Sequence, residues 1–274
     1  YFGEFIGQKV KLFTEEFKVD KVDFIASHGH TVFHQTNKGI TSQIGHGAAI
    51  AAACRYPVVC DFRTLDVRLG GQGAPLVPVG DKILFDQFDF CLNLGGIANV
   101  SFDLGGKRIA FDICAVNMVL NYLANLKGLE FDKDGLFASS GRIDSILLDK
   151  LNELEFFSSA PPKSLGKEWI FEKIIPILNA YKIPVEDKLA TFSSHIVSQI
   201  SGCLNNYSNL IHKQVPSLLV TGGGAFNRHL MNNLQQAFKG KLIIPDEKTV
   251  KFKEALIFAF LGCLRWRNEI NCLS

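Results

Sequence analysis

FCLNLGGIANVSFDLGGKRIAFD, residues 90–112, is the stretch whose reading decides the fold. Phe90–Leu94 is an apolar run of strand length, Gly95-Gly96 a tight turn, and Ile97–Leu104 the returning strand. Gly105-Gly106 makes a second turn, and Lys107–Asp112 a third strand that delivers an acid at its end. A helix follows over Asn117–Leu126. A Gly-Gly hairpin with Asn93 and Asn99 near its bend exposes backbone N–H groups that can cradle a phosphate. The structural alternative is an ordinary type I′ turn.

Downstream, helical patterns cover Ile143–Phe157, Glu168–Tyr181 (broken at Pro176) and Val185–Asn205. Ser217–Thr221 is then a buried strand. It runs into Gly222-Gly223-Gly224-Ala225-Phe226-Asn227 and a helix to Phe238, an arrangement that lets a planar ring or a phosphate approach bare backbone. Leu242–Ile244 is a last strand and Phe252–Trp266 a final helix, with Lys253 and Glu254 near its start. Upstream, Tyr1–Phe17 is an amphipathic helix with Phe2, Phe5, Ile6, Val10, Phe13 and Phe17 on one face. No Met or capping signal precedes it, so residues upstream of Tyr1 are expected. Then come a strand at Val22–Ala26, an alanine-rich helix entered through Ser42–Gly47, and a strand at Val58–Cys60. The second half reads β-β-β-α, helices, β-α-β-α. The first half ends in the same order without the opening hairpins. This predicts an α/β protein of two like units around a cleft, divided at residues 1–88 and 89–274, with the last helix (252–267) packing back near the cleft.

Asp61–Pro78, DFRTLDVRLGGQGAPLVP, places Asp61, Arg63, Asp66 and Arg68 at a strand exit ahead of a glycine turn. In open α/β sheets, ligands bind beyond the carboxyl ends of the strands, where fixed charge and bare backbone suit a small polar molecule. The alternative is a tight turn with surface ion pairs. His28, His30 and His34 form a second polar tip, for which hydrogen bonding outweighs metal binding because no acid or thiol has ligand spacing. A net charge of +2 points to neither nucleic acid nor an anionic membrane. The cysteines number seven and are scattered, with no close CxxC pair, as expected of reduced, mostly buried thiols in a cytoplasmic protein.

SHGHT (27–31), DFRTLD and GGQGAPLVP (61–78), LNLGGIANVS (92–101), FDICAVN (111–117), PKSLG (162–166), TGGGAFN (221–227) and KEALIFAFL (253–261) resemble the anhydro-N-acetylmuramic acid kinase family. That family belongs to the sugar-kinase, heat-shock and actin ATPase superfamily. The resemblance implies two actin-like, ribonuclease H-like lobes, the first incomplete at its N-terminus. It also implies ATP with Mg²⁺ carried on its phosphates, no resident metal, and opening of a 1,6-anhydro sugar with phosphorylation of O6 in peptidoglycan recycling. By the same resemblance Asp112 is the base and Glu254 holds the sugar, with a helix N-cap and a first-turn helix acid as their structural alternatives. His28, Thr31 and Arg63 join the sugar site, with Arg63 suited to a bidentate grip on hydroxyls or a lactyl carboxylate. Gly95, Gly96 and Asn99 lie by the phosphates, and Gly222, Gly223, Gly224 and Asn227 border the adenosine. The implied partners are an amino-sugar substrate and a second copy of the chain as a homodimer.

Two departures stand out. The family's Gly-Thr-Ser-x-Asp-Gly hairpin is absent, so the chain as it stands is expected to bind ATP weakly and turn over slowly. Cys114-Ala115-Val116 replaces Gly-Pro-Gly beside Asp112. The alternatives kept open are a kinase of another anhydro-sugar such as levoglucosan, and a catalytically impaired sugar- or nucleotide-binding relative.

Overall fold

The computed structural model describes residues 1–35, 39–71, 73 and 76–272, with His34 and Gln35 described by backbone only. Gln72, Ala74 and Pro75 of the glycine turn therefore lie outside the described residues, as does the side chain of His34. The chain divides into two compact units. Unit 1 is Tyr1–Leu84 together with Glu254 onward, and unit 2 is Phe85–Lys253. The last helix thus contributes to both units, whereas the sequence reading placed residues 89–274 together.

Unit 1 comprises α1 (Phe2–Glu16), β1 (Ile25–Ser27), β2 (His30–Gln35), β3 (Ile40–Ile44), α2 (Gly47–Cys54), β4 (Val58–Cys60), α3 (Thr64–Arg68) and α4 (Val77–Leu84). β1 and β4 pair in parallel, with Ser27 opposite Cys60. β2 and β3 form an antiparallel hairpin that sequence reading missed, having taken the segment after His28 for a polar strand tip. The amphipathic face expected of α1 is not the buried one. Phe2, Phe5, Phe13 and Phe17 are exposed, and the residues α1 buries are Gly3 and Gly7. A Cβ on Gly7 would stand 2.6 Å from the Ala53 Cβ and 2.7 Å from the Ile50 carbonyl. Backbone proximity, not aromatic burial, joins α1 to α2.

Unit 2 comprises β5 (Phe90–Leu94), β6 (Ile97–Leu104), β7 (Lys107–Ala115) and α5 (Asn117–Asn125). After several short helices come α6 (Val185–Leu210), β8 (Ser217–Thr221), α7 (Arg228–Ala237) and β9 (Lys241–Ile243). α8 (Glu247–Trp266) begins in unit 2. The sheet order is β7-β6-β5-β8-β9, antiparallel across its first three strands and parallel across β5, β8 and β9. α6 buries Leu189, Phe192, Ile196, Ile200 and Leu204 at helical spacing, on one core with Phe90, Leu92, Phe102 and Val220. Ile143–Phe157, expected as one helix, is two, Ser145–Asn152 and Glu155–Ser158. A π-helical stretch at Ile170–Ile174 absorbs the break imposed by Pro176, which lacks an N–H to donate to the preceding turn. Of the seven free cysteines, only Cys54, Cys91 and Cys114 are buried. Among the described residues no helix is long and apolar enough to cross a membrane.

The core also holds a fully buried imidazole. His195 lies against Phe157 and Phe192, its Nδ1 donating to Asn152 Oδ1 at 2.7 Å while Nε2 has no partner among the described residues. Burial holds its pKa down to about 3, against 6.5 for the free side chain. Because the folded-state pKa is depressed, the neutral form's stability is fully present above pH 6.5 and is lost as pH falls from there toward 3. We predict that between pH 7 and 5 the parent loses about 2 kcal/mol more unfolding free energy than His195→Leu does. Urea titrations at the two pH values measure this, and equal losses in both proteins would refute it.

Candidate functional site

In unit 2 the strand register lines up a polar row across four strands. Thr221 pairs with Asn93, Asn93 with Asn99, and Asn99 with Asp112. A bulge makes the last pairing. Ala98 faces Cys114, yet the next residue, Asn99, faces Asp112, so Ile113 is skipped. The strand expected to end at Asp112 runs on to Ala115, because Cys114 and Ala115 are fully buried and pair with Ala98 and Ile97. Asp112 is accordingly not a helix cap. The capping position of α5 is Val116, with no side-chain cap bond.

Asp112 Oδ2 instead accepts the Leu165 N–H at 2.8 Å, and the Asp112 N–H donates to the Lys163 carbonyl at 3.1 Å. Burial raises the carboxyl's pKa above the ordinary aspartate value, and the Leu165 N–H opposes that rise. A half-buried carboxylate with elevated basicity, backed by one backbone donor, is a serviceable proton acceptor. The lysine of PKSLG is half-buried, with Nζ on the Phe156 carbonyl at 3.0 Å.

The Gly95-Gly96 turn has its carbonyls tied down. Gly95 accepts from the Asn117 N–H at 3.2 Å, and Gly96 from the Val116 and Met118 N–H groups at 2.8 and 3.2 Å. Trans peptide units point N–H opposite to C=O, so the N–H groups of Gly96 and Ile97 face away from the start of α5. Neither glycine has positive φ, which removes the type I′ alternative, since that turn needs positive φ at both central positions. Packing does not require them either. A Cβ on Gly95 or Gly96 would meet nothing closer than 3.4 Å. Small residues that neither conformation nor packing demands leave room for a phosphate at the backbone. This geometry fits a nucleotide.

Gly222 is different in kind. Its φ is +82°, and a Cβ would stand 2.7 Å from Asn93 Oδ1 and 2.8 Å from the Leu94 carbonyl, so it locks the turn after β8 onto β5. Gly223 and Gly224 continue into a 3₁₀ turn ending at Phe226. Asn227, expected beside adenosine, uses its carboxamide oxygen to cap α7, accepting the Leu230 N–H at 3.0 Å.

In unit 1, Arg63 Nε donates to His28 Nε2 at 2.8 Å and Nη1 donates to the Gly73 carbonyl at 2.7 Å. Asp66 Oδ2 takes the Gly73 N–H at 2.6 Å, and Asp61 Oδ1 the Thr64 N–H at 3.2 Å. Arg63 and Asp66 thus both hold Gly73 of the glycine turn, while Asp61 holds the start of α3. Among the described residues Nη2 has no hydrogen-bond partner, so the bidentate grip expected of Arg63 would have only that end of the fork. Glu254 exerts its charge on both His28 and Arg63. It was weighed against a first-turn helix acid, but α8 starts at Glu247, so Glu254 sits well inside the helix where the dipole gives it no favour. Thr31 lies on β2, its hydroxyl 3.5 Å from Gln43 Nε2, and is not among the contacts of the His28–Arg63 pair. A cavity of about 510 Å³ opens beside His28, lined also by Ser27, Gln43, His46, Cys60 and Asp61.

Since Arg63 donates to Nε2, the His28 proton sits on Nδ1, 3.2 Å from the Gly29 carbonyl. Burial first, and the Arg63 charge second, pull the His28 pKa below 6.5.

An α/β unit with this strand order, antiparallel meander first and parallel strands after, has the ribonuclease H-like topology from which actin-like ATPase lobes are built. The Gly95-Gly96 turn opens β6, and Asp112 lies on β7, the next strand of that sheet. A family model described as anhydro-N-acetylmuramic acid kinase matches residues 2–271, and the chain belongs to that family. Relatives named anhydro-N-acetylmuramic acid kinase include one from Methylorubrum populi, 35% identical over 250 residues, covering 88% of this chain and 64% of the relative. Another, from Clostridioides difficile, is 35% identical and covers 93% of this chain and 71% of the relative. The chain spans less than two thirds of the length of the first of these. Among solved structures, an activator of 2-hydroxyisocaproyl-CoA dehydratase from Clostridium difficile with bound ADPNP aligns at TM-score 0.41 and 15% identity, over 80% of this chain and 72% of that one.

We predict that His28 titrates below the ordinary histidine value of 6.5, with the proton of its neutral form on Nδ1, and that His28→Ala frees the Arg63 side chain to move. Imidazole ¹⁵N shifts and Arg63 Nε relaxation read these. A His28 titrating at or above the ordinary histidine value would contradict the first.

Proposed function

We propose that this chain carries the sugar- and nucleotide-handling machinery of an ATP-dependent kinase acting on 1,6-anhydro-N-acetylmuramic acid. The observation that carries the reading is Asp112, half-buried and backed by the Leu165 N–H, on the strand paired with β6, which the Gly95-Gly96 turn opens. Asp112 takes a proton from water as the water oxygen bonds to the anomeric carbon. The bond from that carbon to O6 breaks, O6 bonds to the terminal phosphorus of ATP, and the bond from that phosphorus to the bridging oxygen breaks, so that ADP leaves. Mg²⁺ carried with ATP would offset the charge of the phosphates. The Gly96 and Ile97 N–H groups and Asn99 are suited to the phosphates, and the backbone at Gly222–Gly224 to the nucleoside. Arg63, through Nη2, and Glu254 are suited to the sugar's carboxylate and hydroxyls, with His28 fixing the Arg63 fork. Thr31, on β2, is the remaining member of the proposed sugar set. ATP and reduced thiols together favour a cytoplasmic setting and a place in peptidoglycan recycling.

The test is incubation with ATP, Mg²⁺ and the anhydro-sugar in H₂¹⁸O. The expected product is a 6-phosphosugar carrying ¹⁸O at the anomeric carbon and none in its phosphate. Asp112→Asn is expected to lower turnover about 10²–10⁴-fold with sugar affinity nearly unchanged. Label appearing in phosphate, or full activity in the variant, would overturn the mechanism. Equal use of levoglucosan, which lacks the lactyl acid, would remove the proposed role of Arg63.

A further inference from the structure

We propose that Lys163 is a positioning residue for Asp112, anchoring the 161–166 strap so that the Leu165 N–H stays on the carboxylate. The inference rests on the reading of Asp112 as base. The strap touches Asp112 at two points, the Lys163 carbonyl on its N–H and the Leu165 N–H on Oδ2, and Lys163 lies at the first of them. Pro161 and Pro162 have no N–H to give, so the strap's entry cannot be fixed by backbone donors. Two side chains fix it instead. Leu165 is buried, and Lys163 reaches back to Phe156, its Nζ on the carbonyl at 3.0 Å and 4.7 Å above the ring centroid. Phe156 is itself held between Phe157 and Trp169, with ring centroids 5.6 and 5.4 Å away. The anchor is thus built into the aromatic layer that covers this side of unit 2.

The lysine acts through geometry. The ionisable groups around it and Asp112 are Cys114 on β7 and Cys203 on α6, both held protonated by burial, Cys203 at about 12. Asp112 responds to its burial and to the Leu165 N–H, while the Lys163 charge acts on the two thiols. Removing the anchor should therefore remove a hydrogen bond from Asp112 and leave its electrostatic surroundings otherwise alone.

The experiment uses the 274-residue chain and needs no turnover. Carboxyl ¹³C shifts of Asp112, assigned with Asp112→Asn, give its titration, and amide hydrogen exchange gives the protection of Leu165. In Lys163→Met the Leu165 amide is expected to lose about tenfold in protection while Leu92 and Val100 keep theirs, and the Asp112 midpoint is expected to move upward. Lys163→Arg, which retains a donor and a cation over the ring, is expected to restore both. Should the methionine variant lose protection throughout the sheet, Lys163→Gln carries the same comparison. Unchanged Leu165 protection and an unchanged Asp112 midpoint in a folded variant would overturn the proposal. That result would leave the proposed kinase activity standing, whereas failure of the ¹⁸O assay would leave the positioning result standing.

Discussion

The bulge between Ala98 and Asn99 is the constraint on which the site in unit 2 depends. A strand alternates faces with a period of two, so a register without the skip would set Asn99 against Ile113 and turn Asp112 away from the Asn93–Asn99 line. The skipped residue is apolar and buried, which ties the irregularity to the core. The same pairing carries Cys114 and Ala115 onward into the sheet. Cys114 and Ala115 therefore extend β7 instead of forming a loose turn, and Asp112 remains on a strand rather than on a loop. Precision of that kind is what the proposed role of Asp112 would require.

Unit 1 solves a different problem with the same economy of contacts. A guanidinium at a strand exit would be mobile if left free. Here its Nε is fixed by a histidine lone pair and its Nη1 by a carbonyl of the glycine turn, while Asp66 holds the amide of the same Gly73. The turn and the arginine orient each other. This arrangement keeps the cation in one geometry, and a neutral His28 is a condition of it, because protonation would place a hydrogen where Arg63 donates.

Much of this was legible in the sequence. The meander at residues 90–112, the parallel pair at its far side and the glycine turns all announce themselves through apolar runs bounded by Gly-Gly. What escaped has physical reasons. The β2–β3 hairpin was hidden because its strands, HTVFHQ and ITSQI, are polar and half-exposed, giving no apolar run to count. The α1 face was misread because periodicity identifies an apolar stripe without saying what it packs against, and here the helix approaches α2 through Gly3 and Gly7. The strap role of PKSLG left no local signal, since it arises from a backbone contact with β7 across more than fifty residues. The bulge is equally invisible, because inserting one residue into a ladder changes pairing and not composition.

Glycine is where sequence and structure part most usefully. Gly7, Gly95 and Gly222 look alike as letters, and each invites the same guess. The structure separates them by what a Cβ would meet. At Gly7 it would collide with α2, and at Gly222 with β5, so those two are accounted for by the fold alone. At Gly95 and Gly96 it would meet only ordinary contact, and the backbone there is in a conformation open to any residue. The carbonyls of that turn are already committed to the start of α5, which leaves N–H groups on its other side. A position that the fold leaves free, beside donors that the fold has aimed, is best explained by the molecule that must come close to it. The clearest support for the proposed phosphate site is a glycine pair whose lack of side chains the protein itself does not require.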